Sequence, residues 1–269
     1  SVELLDWERT PQFGASTAVL EHDRCVDLLT GRKQLDAAVR KGRLIRVWHG
    51  VYSTTEPDLM LRLWALDLVI GGHAVACLHT AATLYGFGVH DSPAVHVLDP
   101  GNSLRSTTGL VVHRREGAPL QLVSSRRVTA PAWTAVEVAR QLPRPRALAT
   151  LDSALHARRC TAVDLADAVQ RQSGRRGIAH VRQLLDIADG RAESAMESEA
   201  RLAMLDHGLP RPELQYVIRG HDGERWRVDF AWPEARVAAE EAGADAVLRK
   251  PVRSSDVLDT VRGLLALKG

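Results

Sequence analysis

Two groups of residues in this chain have types and spacings that could do chemistry. The first is acidic. Asp229 stands between Val228 and Phe230, close to Trp232, so a strand here would present one carboxylate from a largely apolar ribbon. A carboxylate in that setting either caps a structural network or holds a cation, since leaving it unpaired and buried is costly. Upstream, Glu193 and Glu197 lie on a stretch of helical character with Leu202, Met204 and Leu205 as apolar cover. The second group is basic. From Arg24 to Gly50 there are seven Lys or Arg (24, 32, 33, 40, 41, 43 and 46) against two acids, Asp27 and Asp36. Such an excess is what neutralising phosphates requires. The net charge of the 269 residues is only +2, so affinity for nucleic acid must come from a local patch of this kind.

Other reactive side chains carry less. His73, His79, His90, His96 and His113 fit no ligand spacing, and a histidine among apolar residues is more often a satisfied structural group. Cys25, Cys77 and Cys160 are isolated, which favours reduced thiols in a cytoplasmic protein over disulfides or zinc. The doublets Arg114-Arg115, Arg126-Arg127 and Arg175-Arg176 either extend a nucleic-acid surface or are exposed charge at loop and helix ends.

The elements that must position these groups can be read from pattern. A helix over Ser194–His207 is closed by Gly208 and Pro210, and Leu214–Ile218 with Trp226–Trp232 forms a hairpin around His221-Asp222-Gly223. At the front, a helix is expected at about Thr17–Leu29. Thr30 then caps a second, Gly31–Lys41, with Leu35, Ala38 and Val39 on its buried side and Gly42 at its end. Leu44–Trp48 and Val51-Tyr52 flank His49-Gly50 as a short hairpin, and helices followed by a small hairpin make a winged helix-turn-helix. In the middle, helices are predicted over Leu59–Ile70, His79–Tyr85, Ala132–Gln141, Arg146–Ala157, Ala162–Gln172 and Ile178–Ala188, with strands at Ala94–Leu98 and Leu110–His113. The run from Ala238 to Ala244 consists of helix formers without a β-branched residue, which does not favour a strand at Glu240. Further on, Ala246–Arg249 reads as a strand and Ser255–Ala266 as a helix with Leu258, Val261 and Leu265 inward. Hydrophobic residues are 45% of the chain and charged ones 25%, the composition of a soluble globular protein. The most apolar stretch, Leu63–Val89, is broken by Asp67, His73 and His79, and no secretory signal is visible.

Three resemblances add to this reading. The string GRKQLDAAVRKGRLIRVWHGVYS, residues 31–53, resembles the N-terminal domain of the AbiEi-family antitoxins of type IV toxin–antitoxin systems, and the middle region is similar to the segment after the winged helix in those proteins. The resemblance implies that the helix holding Arg32, Lys33, Gln34 and Arg40 faces the major groove. Gln34 would read a base edge while Lys41, Arg43 and Arg46 grip the backbone near the wing. The second resemblance rests on Glu193-Ser194, Glu197-Ser198, Gly208-Leu209-Pro210 and the run from Arg227 to Glu234, which look like a very-short-patch-repair-like endonuclease domain. It implies a restriction-endonuclease-like fold in which Glu197, Asp229 and Glu240 are catalytic. Asp229 and Glu240 would hold the Mg²⁺ that polarises the phosphate and prepares the attacking water. The sequence departs from that pattern at Ala242, where the family has an Asp. The third is the tail from Ala242, which resembles the last strand and helix of a response-regulator receiver, including Lys250-Pro251. The strands that would supply a phosphorylated Asp are missing, so no phosphorelay is implied, and the tail equally suits a shortened final strand and helix of the nuclease fold.

The expected fold class is α+β: a winged helix-turn-helix at 1–57, a mixed α/β middle at 58–190 and a partial restriction-endonuclease-like region with an atypical tail at 191–269. The expected function is a DNA-binding, antitoxin-like transcriptional regulator whose nuclease-like part does not cut. It needs no cofactor for double-stranded DNA and has a cognate toxin as its protein partner. The rival readings are a Mg²⁺-dependent DNA endonuclease and an antitoxin that neutralises its toxin by protein binding alone. No membrane partner is expected.

Overall fold

A computed structural model describes residues 19–21, 32–88, 92–101, 104–219 and 224–239, with only the backbone at 19–21 and 32–34. Helices and several small sheets make it a mixed α+β fold. The chain divides into two compact units, Ser1–Thr80 with Ser92–Thr129, and Ala81–Asp91 with Ala130–Gly269.

The first unit begins with β1 (Val19–Glu21), α1 (Arg32–Arg40), β2 (Ile45–Trp48) and β3 (Val51–Ser53). The three strands form one sheet in the order β1-β3-β2, with Leu20 opposite Tyr52 and Ile45 opposite Ser53. Interleaving the first strand beside the last is the arrangement of a winged helix. It also corrects the helix expected over Thr17–Leu29: its Val19–Glu21 portion is a strand. Short apolar runs do not distinguish helix from strand by periodicity, and here the open edge of β3 supplies the backbone partners that decide it. Leu35 and Ala38, one helical turn apart, put one face of α1 into a small core with Leu44 and Tyr52. Gly42, at φ +68°, ends α1 in the left-handed conformation that only glycine adopts cheaply, and Arg43 N–H returns to the Ala38 carbonyl at 2.9 Å.

The same unit continues with α2 (Leu59–Ile70), which Asp58 caps by accepting the Leu61 N–H at 2.7 Å. Next come the start of α3 (Leu78–Tyr85), the parallel pair β4 (Val95–Leu98) and β5 (Leu110–His113), and the antiparallel pair β6 (Leu120–Val123) and β7 (Arg126–Thr129). Ala76 bridges Val97 of β4 and Val128 of β7, bringing the two pairs together over a core of Ala76, Val95, Val97 and Val128. Strands β6 and β7 were not foreseen from the sequence.

The second unit is helical before it is extended: α4 (Pro131–Ala139), α5 (Arg144–His156), α6 (Ala162–Arg171), α7 (Ile178–Leu185) and α8 (Ala195–Asp206) precede β8 (Glu213–Arg219), β9 (Arg225–Trp232) and β10 (Val237–Ala239). Gly177, at φ +84°, lets α7 begin against α4, since a Cβ there would lie 2.4 Å from the Arg140 carbonyl oxygen. The strands form a sheet in the order β10-β9-β8. Met204 of α8 joins Leu214, Phe230, Trp232 and Val237 in one buried cluster. Ala238 and Ala239, helix formers by propensity, are held extended because Ala239 pairs with Phe230 and Val237 with Trp232, and pairing overrides a preference of a few tenths of a kcal/mol. Glu240 and the predicted tail elements lie outside the described residues, as does the hairpin turn at His221–Gly223.

Candidate nucleic-acid interface and acid pair

On the winged-helix elements the burial pattern sorts residues by charge. Leu35, Ala38, Leu44 and Tyr52 are buried together, which leaves Arg40, Lys41 and Arg43 exposed around the end of α1 and Arg46 exposed on β2. The αL turn at Gly42 is what sets Lys41 and Arg43 beside that helix end rather than along it. Arg32, Lys33 and Gln34 form the first turn of α1, and Arg24 lies outside the described residues. Arg62 braces the wing from α2. Its guanidinium stacks 5.4 Å from the Trp48 ring centre and donates to the carbonyls of Pro93 and Gly109, each at 2.8 Å. Trp48 Nε1 in turn donates to the Arg62 carbonyl at 2.7 Å. Three exposed cations at the end of α1 and one on the adjacent braced wing strand are chemically suited to a polyanion.

One arginine of each of two doublets is taken up by the fold, while Arg114, Arg127 and Arg176 stay exposed. Arg126 is buried and pairs bidentately with Asp67, at 2.9 and 3.1 Å. Arg175 lies over the Trp133 ring at 4.7 Å and within 3.6 Å of the buried Glu137. Arg114 donates to Asp99 at 3.1 Å.

The acids expected to converge do so in part. Ser194 caps α8 by accepting the Glu197 N–H at 3.0 Å, and Glu197 Oε2 reaches back to accept the Glu193 N–H at 3.0 Å. This variant of the capping box fixes the Glu197 carboxylate at the start of the helix. Gln215 of β8 then joins it to Asp229 of β9. Its Nε2 donates to Glu197 Oε2 at 3.0 Å and to Asp229 Oδ1 at 3.4 Å, so the two acids lie within the span of two hydrogen bonds from one amide nitrogen. The register explains the meeting: Leu214 pairs with Phe230 and Tyr216 with Val228, which sets Gln215 opposite Asp229. Gln215 holds a left-handed φ of +53°, and its Oε1 is buried without a hydrogen-bond partner. Beside them Arg227 grips Glu193 with two hydrogen bonds of 2.8 and 2.9 Å. Gln215 was not singled out from the sequence. The signal that could have found it is its place in the hairpin register across from Asp229.

Mg²⁺, which the nuclease resemblance implies, requires several hard oxygen donors converging on one point. Among the described residues no group of three or more His, Cys, Asp or Glu side chains is placed to hold a metal ion. Glu197 and Asp229 supply two carboxylates and Gln215 a neutral amide turned donor-first. The described set does not amount to the expected centre.

Of the histidines, His79, His96 and His113 come together in one group; His73 stands beside Asp67, and His90 lies outside the described residues. His96 Nδ1 and His113 Nε2 share a hydrogen bond of 2.9 Å between stacked rings, Ser92 Oγ meets His96 Nε2 at 3.0 Å, and His79 packs edge-on against His96. Burial pushes both His96 and His113 down to about 4, helped at His96 by its partner ring and at His113 by Arg115 and His79. These are neutral structural rings, as a satisfied group should be. Burial, with Asp164 nearby, pushes the Cys160 thiol up to about 12, which disfavours its thiolate. No helix among the described residues is long and apolar enough to cross a membrane.

Residues 74–187 match the family described as the AbiEi antitoxin C-terminal domain. Two uncharacterized proteins of Mycobacterium tuberculosis, one from each of two strains, are each 63% identical to this chain over 228 residues, covering 82% of it and 84% of their own length.

Proposed function

From the premise that the chain belongs to the family of these mycobacterial proteins and carries an AbiEi antitoxin C-terminal domain match at residues 74–187, we propose that it is a DNA-binding antitoxin-like regulator. The observation that carries the DNA half of this reading is the exposed set Arg40, Lys41, Arg43 and Arg46 around a sheet of winged-helix strand order. These residues hold the duplex backbone, with Arg32 and Lys33 adding to the grip and Gln34 reading a base edge from the first turn of α1. The antitoxin match supports a cognate toxin as the protein partner. The acid pair Glu197–Asp229 serves as a structural clasp between α8 and the β8–β9 hairpin, in a nuclease-like part that does not cut.

Titration of labelled promoter DNA at several salt concentrations tests the DNA half. Lys41→Ala, Arg43→Ala and Arg46→Ala together should weaken binding to every duplex and flatten the plot of log affinity against log salt by about 0.9 per lost phosphate contact. Gln34→Ala should leave the slope alone and relax sequence preference. Tight binding by the triple variant with an unchanged slope would sink the proposal.

A further inference from the structure

Strand β6 pairs with β7 on one side, and among the described residues no strand pairs with its other side. The direction of its backbone groups follows from what β7 does. Ala76 donates to the Arg127 carbonyl at 3.1 Å and accepts the Thr129 N–H at 3.0 Å, on the side of β7 away from β6. Arg127 and Thr129 therefore turn their backbones away from Leu122 and Leu120, their partners in the register. In an antiparallel pair both members of such a non-hydrogen-bonded couple face outward. The N–H and C=O of Leu120 and of Leu122 thus line the open edge, and among the described residues nothing meets these four groups. The side chains are as bare as the backbone. Leu120 and Leu122 are 44% and 72% exposed and share one face, opposite the face on which Val128 enters the core. Edge strands that stay single are commonly guarded by a charge, yet the chain carries none from Gly117 to Ser125.

An edge of this kind takes a strand, and its register selects a second copy of itself. We infer that two copies of the chain associate through β6, antiparallel about a two-fold axis at Gln121. Leu120 of each copy then faces Leu122 of the other as a hydrogen-bonded pair, so the outward groups of both strands are all matched. The same pairing gathers four exposed leucines into one apolar patch. A slip of one residue would bring Gln121 or Val123 opposite those groups, and their backbones already face β7. An uncharged edge offers a foreign strand no charge to choose it by, whereas the copy matches it in both register and side chain. Strands of four residues make a small interface, so the dimer is a dissociable one.

Analytical ultracentrifugation of the full chain over a roughly hundredfold range of concentration tests this, and the mean mass should rise from one chain toward two. Leu122→Lys and, separately, Leu122→Pro should each weaken the association by about tenfold or more. The lysine brings like charges into the patch. The proline removes an outward N–H but no bond between β6 and β7, so the hairpin keeps its fold. Val163→Lys, at a position 69% exposed on α6, should leave the association unchanged. Gln121→Cys under mild oxidation should give a dimer linked at position 121, because the two Cα atoms meet across a non-hydrogen-bonded pair about 4.5 Å apart. The parent chain oxidised in the same way should give no such link. A single-chain mass at every concentration, association untouched by both Leu122 variants or weakened equally by Val163→Lys, or a position 121 that links to another segment of its own chain or to nothing would each overturn the inference.

Discussion

At the scale of single residues, the strongest pH-dependent feature is the pair His96 and His113. Both rings are half-buried, hydrogen-bonded to each other, and flanked by Ser92, His79 and Arg115. Their folded values of about 4 lie below the usual value of 6.5, so between these limits the unfolded chain takes up protons that the folded one refuses. The stabilisation is therefore complete above about pH 6.5 and is lost as pH falls through the range toward 4. Discounting for partial exposure leaves on the order of 1 kcal/mol per ring. Urea unfolding at pH 7.5, 6, 5 and 4 should show this loss, and His96→Gln with His113→Gln should flatten it. An unchanged slope in the double variant would place the acid sensitivity elsewhere. Gln215 is the other residue whose environment sets its role: a strained backbone is kept because its amide holds two carboxylates at once.

At the scale of elements, α5 and α8 are locked by a buried ion pair, Arg201 with Asp152, both side chains 1% exposed. Asp152 also accepts the Asp189 N–H at 2.7 Å, and Arg201 also donates to the Ile187 carbonyl, so the pair stitches the segment before α8 to the helices. Arg201→Met alone should cost about 3–5 kcal/mol, because it leaves a carboxylate buried without its countercharge. Adding Asp152→Leu should recover part of that loss but not all, since the Asp189 N–H stays unsatisfied, at about 1–3 kcal/mol. Denaturant unfolding of the two variants decides it; equal stability of single and wild type would show that the pair is dispensable. This lock was illegible in the sequence, where Asp152 and Arg201 stand far apart without any motif. The legible features are those that local pattern controls. The α1 face of Leu35 and Ala38, the Gly42 terminus, the helix over about Ser194–His207 and the hairpin strands within 213–232 all arise from periodicity and turn chemistry. The illegible ones depend on distant partners: β1 is extended because β3 offers its edge, β10 because β9 does, and Arg126 is internal because Asp67 waits for it. In the acid site, sequence marked Glu197 and Asp229 but not the Gln215 between them, because only the strand register sets that residue across from the acid.

At the scale of the whole molecule, the question is whether the nuclease-like part cuts DNA. Cutting by metal-assisted hydrolysis would need three converging acids and a group to steady the phosphate or orient water. Glu197 has its Oε2 engaged by the Glu193 N–H and by Gln215, and Arg227, the cation nearest in the register, is clamped on Glu193. Further along, Ala242 stands where the nuclease pattern carries an Asp, and Glu240 is outside the described residues. These assignments make the acid pair a brace for the hairpin, and they separate two experiments that a nuclease would merge. Gln215→Ala should loosen the contact between α8 and the hairpin and lower stability while leaving DNA affinity unchanged, because the winged-helix cations belong to the other unit. Purified protein incubated with Mg²⁺ or Mn²⁺ and duplex, nicked or mismatched DNA should give no cleavage above background, and Asp229→Ala should be indistinguishable from the parent in that assay. Metal-dependent cutting that vanishes in Asp229→Ala would reverse the assignment and make the protein an endonuclease delivered to its site by the winged helix.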